Sequence, residues 1–129
     1  MTPTAWADLP NAKHIDRILA DLGKNPGGWY DARVAAWDAA SDAAWDAAWD
    51  AVWDAARGDA MSAASDAAWD AAMTAGCGAL LALIAYDDCA YLLDEKPEYV
   101  QMLGLHGNQA ARLLYPACVA LQQKEREIE

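Results

Sequence analysis

The side chains that could do chemistry in this sequence are few, and none of them forms a recognisable reactive set. His14 falls on the polar side of a helical stretch, and His106 lies in a loop between Gly104 and Gly107. Neither has a Ser or Cys nearby in a nucleophile motif. Cys77, Cys89 and Cys118 are odd in number and widely spaced, with no CxxC. They read as buried thiols in a reducing compartment, not as a disulfide framework or a zinc site. No spacing pairs His106 with Cys89 or Cys118. Asp87-Asp88 and Asp94-Glu95 offer carboxylates, but adjacent acids on a helix point in different directions, so a solvated face accounts for them. The glycine pairs in GCG and GLHG match neither GxGxxG nor a P-loop, and no strand precedes them. No catalytic residue, metal site or cofactor is assigned, and the reading is non-enzymatic.

Side chains suited to recognition are more abundant. The chain has seven Trp, five Tyr and no Phe. Indoles and phenols combine an apolar body with a polar edge, as in half-wet pockets and interfaces. Most of the Trp fall in one column of a four-residue phrase, typified by SDAAWDAAWDAVWDAARGD from Ser41 to Asp59. That column includes Trp29, Arg33, Trp37, Trp45, Trp49, Trp53, Arg57, Met61, Trp69 and Met73. The next column is mostly Asp, and the other two are almost all Ala. Arg33 and Arg57 take the place of an indole, and either could pair with neighbouring aspartates, such as Asp54 or Asp50 for Arg57. With Arg112 they could instead reach an anionic ligand between Trp faces. The candidate ligand- or partner-binding residues are therefore Trp29, Arg33, Trp37, Trp45, Trp49, Trp53, Arg57, Trp69, His106 and Arg112.

A period of four constrains the elements that carry these side chains. Alanine is the best helix former, and no proline falls between Pro26 and Pro97, so the array is helical. Each step of four turns the helix 400°, so the Trp column drifts about 40° per repeat and sweeps roughly 240° from Trp29 to Trp53. A long coiled coil, which needs a 3.5-residue average, is excluded. The column is an i±4 ridge between alanine grooves, the kind that packs obliquely against similar ridges. Trp45, Trp49 and Trp53 lie within an arc of about 80° and could share one face. One unbroken helix from Tyr30 to Tyr86 would be on the order of 85 Å long. A break is therefore expected at Arg57-Gly58-Asp59, with Gly58 in the left-handed conformation and Asp59 capping the next helix. Gly76-Cys77-Gly78 is either a second weak point or a place of close helix packing.

The remaining elements follow from caps and breakers. Asn11 can cap a helix through Leu22, with Ile15, Ile18, Leu19 and Leu22 inward and Lys13, Asp16 and Asp21 in water. Residues 24–28, KNPGG, form a turn. Ala71–Tyr86 has no charged residue but is too short to span a bilayer, and reads as a buried helix. Ala79–Asp94 reads as one apolar helix that must end before Pro97. Pro97 begins a short helix that Gly104 stops, and Asn108 caps a last helix that Pro116 should kink. The final KEREIE is a solvated tail. The expectation is a single all-α domain over residues 1–129, a compact multi-helix bundle of obliquely crossing Ala/Trp-rich helices with no sheet. It comprises an N-terminal helix at 11–22, tetrad-repeat helices at 29–77 broken near 58, C-terminal helices at 79–125 and a tail at 126–129.

The runs DAAWDAAWDAVWDAARGDA and SDAAWDAAM resemble the Ala-rich tetrad-repeat helical proteins of immunity type found in bacteria and tailed phages. The blocks NAKHIDRILADL, ALLALIAYDDCAYLLD and LHGNQAARLLYPACVAL are similar to small phage proteins with the same repeat, so the resemblance covers most of the chain. It implies neutralisation by binding, of a toxin or of a host-defence component, and identifies no catalytic residue. The net charge of −11 argues independently against direct nucleic-acid binding and favours a basic protein partner. Two other functions fit the residues: a sponge that sequesters a nucleotide-like signal in Trp/Arg-lined pockets, and a structural protein that oligomerises through the Trp ridge. A homo-oligomer suits either. MTPTAWADLP has neither a basic nor an apolar leader region, so a cytoplasmic location with no membrane contact is expected.

Overall fold

The computed structural model describes residues 6–25, 27–29, 31, 42–68 and 73–128. Six α-helices and one 3₁₀ turn can be delimited among them, Gly27–Trp29 and Asp31 are helical as well, and no strand is found among the described residues. The α-helices are α1 (Ala12–Lys24), α2 (Asp42–Asp54), α3 (Gly58–Ala68), α4 (Met73–Ala85), α5 (Pro97–Leu105) and α6 (Gln109–Ile128), with the 3₁₀ turn η1 at Ala90–Asp94. The fold is all-α.

The chain is built around α4. Its residues from Ala79 to Ile84 are all almost completely buried, as a helix that is apolar all round must be. It packs against α1, α2, α3 and α6, while α5 and η1 lie on α6. The helix runs through Gly76-Cys77-Gly78 without a break. A Cβ on Gly78 would sit 3.6 Å from the Leu113 carbonyl oxygen of α6 and 3.7 Å from the Trp45 ring of α2. Gly78 is thus not a weak point, and a Cβ there would make only ordinary van der Waals contacts with α2 and α6.

In α2 the alanine groove faces the core. Ala44, Ala48 and Val52 are fully buried at a spacing of four, and the Trp column lies beside them. Small side chains on this stripe let α2 approach α4 closely. In α3 the equivalent inward residues are Ala60, Met61 and Ala64.

Asp54 ends α2 and Gly58 begins α3, but the chemistry of the break differs from the sequence expectation. The left-handed residue is Ala56, with φ 56°, not Gly58. The Arg57 N–H donates to Val52 O (2.9 Å) and the Ala56 N–H to Trp53 O (3.0 Å), the two bonds of a Schellman motif. Gly58 is required for another reason: a Cβ there would lie 2.7 Å from Cζ3 of Trp53, whose indole rests on the glycine. Asp59 falls within the first turn of α3, where its charge favours the helix dipole, and does not cap it.

Other expectations are corrected in the same way. The stretch Ala79–Asp94 is not one helix, because α4 ends at Ala85 and Asp87-Asp88 form a turn before η1. Its last carbonyls are taken by distant side chains: Asn11 Nδ2 donates to Leu83 O and Tyr86 O, each at 2.9 Å. Arg57 Nη1 donates to Ile84 O at 3.0 Å. Asn11 occupies the N-cap position of α1 but makes no side-chain cap there, since its amide serves α4. Helix α1 extends past Leu22 to Lys24. Gly104 lies within α5, where a Cβ would meet Arg112 Cγ at 3.0 Å, and Gly107 takes the left-handed turn that follows. Asn108 does cap α6, its Oδ1 accepting the Ala111 N–H at 3.0 Å. That helix continues through Pro116 to Ile128, so the expected tail at 126–129 is helical as far as Ile128.

Candidate functional site

The sequence-derived candidates separate into those the fold uses internally and those it leaves facing outward. Trp29 is fully buried, and its Nε1 donates to Asp21 Oδ2 at 2.6 Å. Trp6 makes the equivalent bond to Asp16 Oδ1 at 2.9 Å. Both aspartates, placed in water by the sequence reading, hold indole N–H groups, and Asp21 is itself buried. This is how large aromatic side chains with a polar edge enter a core.

Arg57 turns away from the Trp column toward the end of α4. Besides Ile84 O it reaches Asp87, with Nη1 at 2.6 Å from Oδ1 and Nη2 at 3.4 Å from Oδ2. Its partner is thus Asp87 and neither Asp54 nor Asp50. Arg112 donates through Nε to Gly104 O at 2.7 Å, fastening α5 to α6. His106 is exposed in the α5–α6 turn. Arg33, Trp37 and Trp69 lie outside the described residues.

Three indoles of the ridge remain together on α2, with a gradient of exposure. Trp45 packs toward Gly78, and Trp49 is half-buried. Trp53 is 66% exposed although its ring stacks on that of Trp49, with centroids 6.2 Å apart and planes 25° from parallel. Asp46, Asp50 and Asp54 stand exposed in the adjacent column. The result is an aromatic edge at the α2–α3 break, bordered by carboxylates.

A second surface, a concavity, was not anticipated. A cleft of about 530 Å³ lies between the turn after α4, η1 and the start of α6. Tyr86, Asp87, Asp88, Tyr91, Asn108 and Gln109 are among its lining residues. Sequence reasoning missed it because it treated Asp87-Asp88 as part of a helix face. The available signal was YDDCAY, two acids flanked by tyrosines, together with the Asn108 cap. Cys89 at its base is buried, its Sγ 3.2 Å from Tyr86 O. Burial, with the Asp87 and Asp88 charges adding to it, pushes the thiol up to about 12, so it is a protonated structural group. Tyr86 is raised by burial and by Cys89, and His14, on α1, is lowered by burial and by Lys13 and Arg17. Among the described residues no three His, Cys, Asp or Glu side chains are grouped to hold a metal ion. None of the described helices is long and apolar enough to cross a membrane.

No family model, curated protein or solved structure compared with this chain matches it. The functional reading therefore rests on these two surfaces alone.

Proposed function

We propose that this chain is a non-enzymatic binding protein that neutralises a protein partner, of the toxin or host-defence kind, by direct contact. The observation that carries the reading is Trp53, two-thirds exposed yet fixed by Trp49 and Gly58. An ordered, solvent-facing indole provides contact area with little left to lose in side-chain entropy, and Trp is the residue type most often found at binding hot spots. The exposed Asp46, Asp50 and Asp54 beside it and the net charge of −11 favour a partner with a basic rim. The protonated Cys89 and the internal bonds of Arg57 and Arg112 support binding over catalysis. Those bonds also weigh against the nucleotide-sponge reading, which needs guanidinium groups beside the indoles. Three widely spaced cysteines accord with a reducing cytoplasm.

Capture on immobilised protein from lysate, repeated with Trp53→Ala, tests the proposal. The wild-type chain should retain one stoichiometric partner, with affinity at least about 30-fold above that of the variant. Equal retention by the two chains would remove Trp53 as the contact. Sedimentation separates this from self-association through the same indoles, which would appear as a dimer lost in the variant.

A further inference from the structure

We infer that the outer face of α5 is a two-fold interface with a second copy of this chain. The inference is independent of the Trp53 contact. Among the described residues, three of the five large apolar side chains that stand exposed fall on this one helix: Tyr99 (41%), Met102 (43%) and Leu105 (73%). They recur at a spacing of three, so Tyr99 and Leu105 each lie within about 60° of Met102 and the three form one stripe. The opposite side of the helix is fixed. Pro97, Val100 and Gly104 are buried, and Arg112 Nε of α6 donates to Gly104 O at 2.7 Å. The stripe is thus held outward on a firm seat, and a contiguous exposed apolar patch marks an interaction surface.

The occupant follows from charge and from symmetry about Met102. Helix α5 contains one charged residue, Glu98, in a chain of net charge −11. Two copies can meet here with little repulsion, whereas pairing through α2 would oppose the exposed Asp46, Asp50 and Asp54 to their own kind. A single Lys96 before the helix offers no polybasic attraction to an anionic bilayer. The stripe is also its own complement. An antiparallel two-fold axis through Met102 brings that residue against its own copy and sets Tyr99 level with Leu105 of the second copy. Glu98 and His106, four residues to either side and both exposed, then lie level with each other across the axis. The His106 N–H donates to Met102 O at 3.1 Å, so this residue continues the last turn. Tyrosine and methionine are enriched at interface cores, and an acid with an imidazole suits a polar rim. Nine residues make a contact only about 14 Å long. The interface is therefore below standard size, and the dimer forms in the micromolar range or weaker.

The test is sedimentation velocity of the full-length protein from about 5 µM to about 500 µM, a range that spans weak dimers. The wild type should pass from monomer to dimer as concentration rises. Leu105→Asp and Met102→Asp, both at exposed positions, should weaken the dimer about tenfold or more while melting near the wild-type temperature. Trp53→Ala should dimerise as the wild type does. The two-fold axis makes a further demand, read on a non-reducing gel after mild oxidation. Met102→Cys should cross-link to its own copy well above the wild-type level, since the native Cys89 and Cys118 are buried. Leu105→Cys should cross-link best when mixed with Tyr99→Cys. A monomer at every concentration, a dimer that survives both aspartate variants, or a dimer lost in Trp53→Ala would overturn the inference. A dimer in which Met102→Cys stays uncross-linked would overturn the two-fold arrangement.

Discussion

At the scale of single residues, the tryptophans divide by what holds the indole N–H. Trp29 and Asp21 are both buried and joined at 2.6 Å, so removing the donor strips a partner from a buried carboxylate. Trp29→Phe should therefore cost about 1–3 kcal/mol in urea unfolding, whereas Trp53→Phe, at an exposed ring, should stay within about 0.5 kcal/mol. Cys89 allows a pH prediction at the same scale. Its folded thiol is raised to about 12 from an ordinary 9.0, chiefly by burial. Below pH 9.0 both folded and unfolded chains hold the proton, so this group adds no pH dependence there. Between 9.0 and about 12 the unfolded thiol ionises and the folded one does not, so stability falls as pH rises. Cys89→Ala should flatten the decline of stability over that window, as read from denaturation midpoints taken at successive pH values. A decline of unchanged slope would mean that other groups govern alkaline unfolding.

At the scale of elements, the α2–α3 break joins strain to the exposed aromatic edge. Ala56 occupies a left-handed conformation that costs a residue with a Cβ about 1 kcal/mol or more, while Gly58 is used only for contact with Trp53. The roles the sequence assigns to these two positions are in effect exchanged. The existence of a break was legible because a compact chain of this size cannot hold a rod. Its residue was not, because Gly58 is the only glycine nearby and the reason it is needed, a ring folded back from Trp53, is a tertiary contact. Ala56→Gly should therefore raise stability by about 1 kcal/mol in thermal or urea unfolding. Gly58→Ala should instead displace the Trp53 ring, seen as a shift in tryptophan emission and a loss of partner affinity, with a smaller change in stability. The same distinction explains α4. Its uncharged run marks it as buried, but nothing local says that it ends at Ala85, because the groups that take its last carbonyls come from Asn11 and Arg57.

At the scale of the whole molecule, those long-range caps tie the N-terminal segment and the α2–α3 link to the end of the one helix that touches most others. The sequence reading reached the all-α class, the central buried helix and the drift of the indole ridge from periodicity and composition. It could not reach the Tyr86–Gln109 cleft, which exists only because two turns distant in sequence meet. The integrity of that region depends on Asn11. Its buried amide satisfies Leu83 O and Tyr86 O together, the second of which also accepts the Cys89 thiol. Asn11→Ala leaves both carbonyls without that donor and should cost about 2 kcal/mol. Because α4 is enclosed by α1, α2, α3 and α6, its core amides exchange with solvent only when the whole fold opens. Their protection factors should then fall about 30-fold in the variant, in step with the loss measured by urea. If the α4 core kept its protection while only residues 83–89 exchanged faster, the end of α4 would open as a local unit. Asn11 would then be a clamp on the cleft and not a determinant of the global fold.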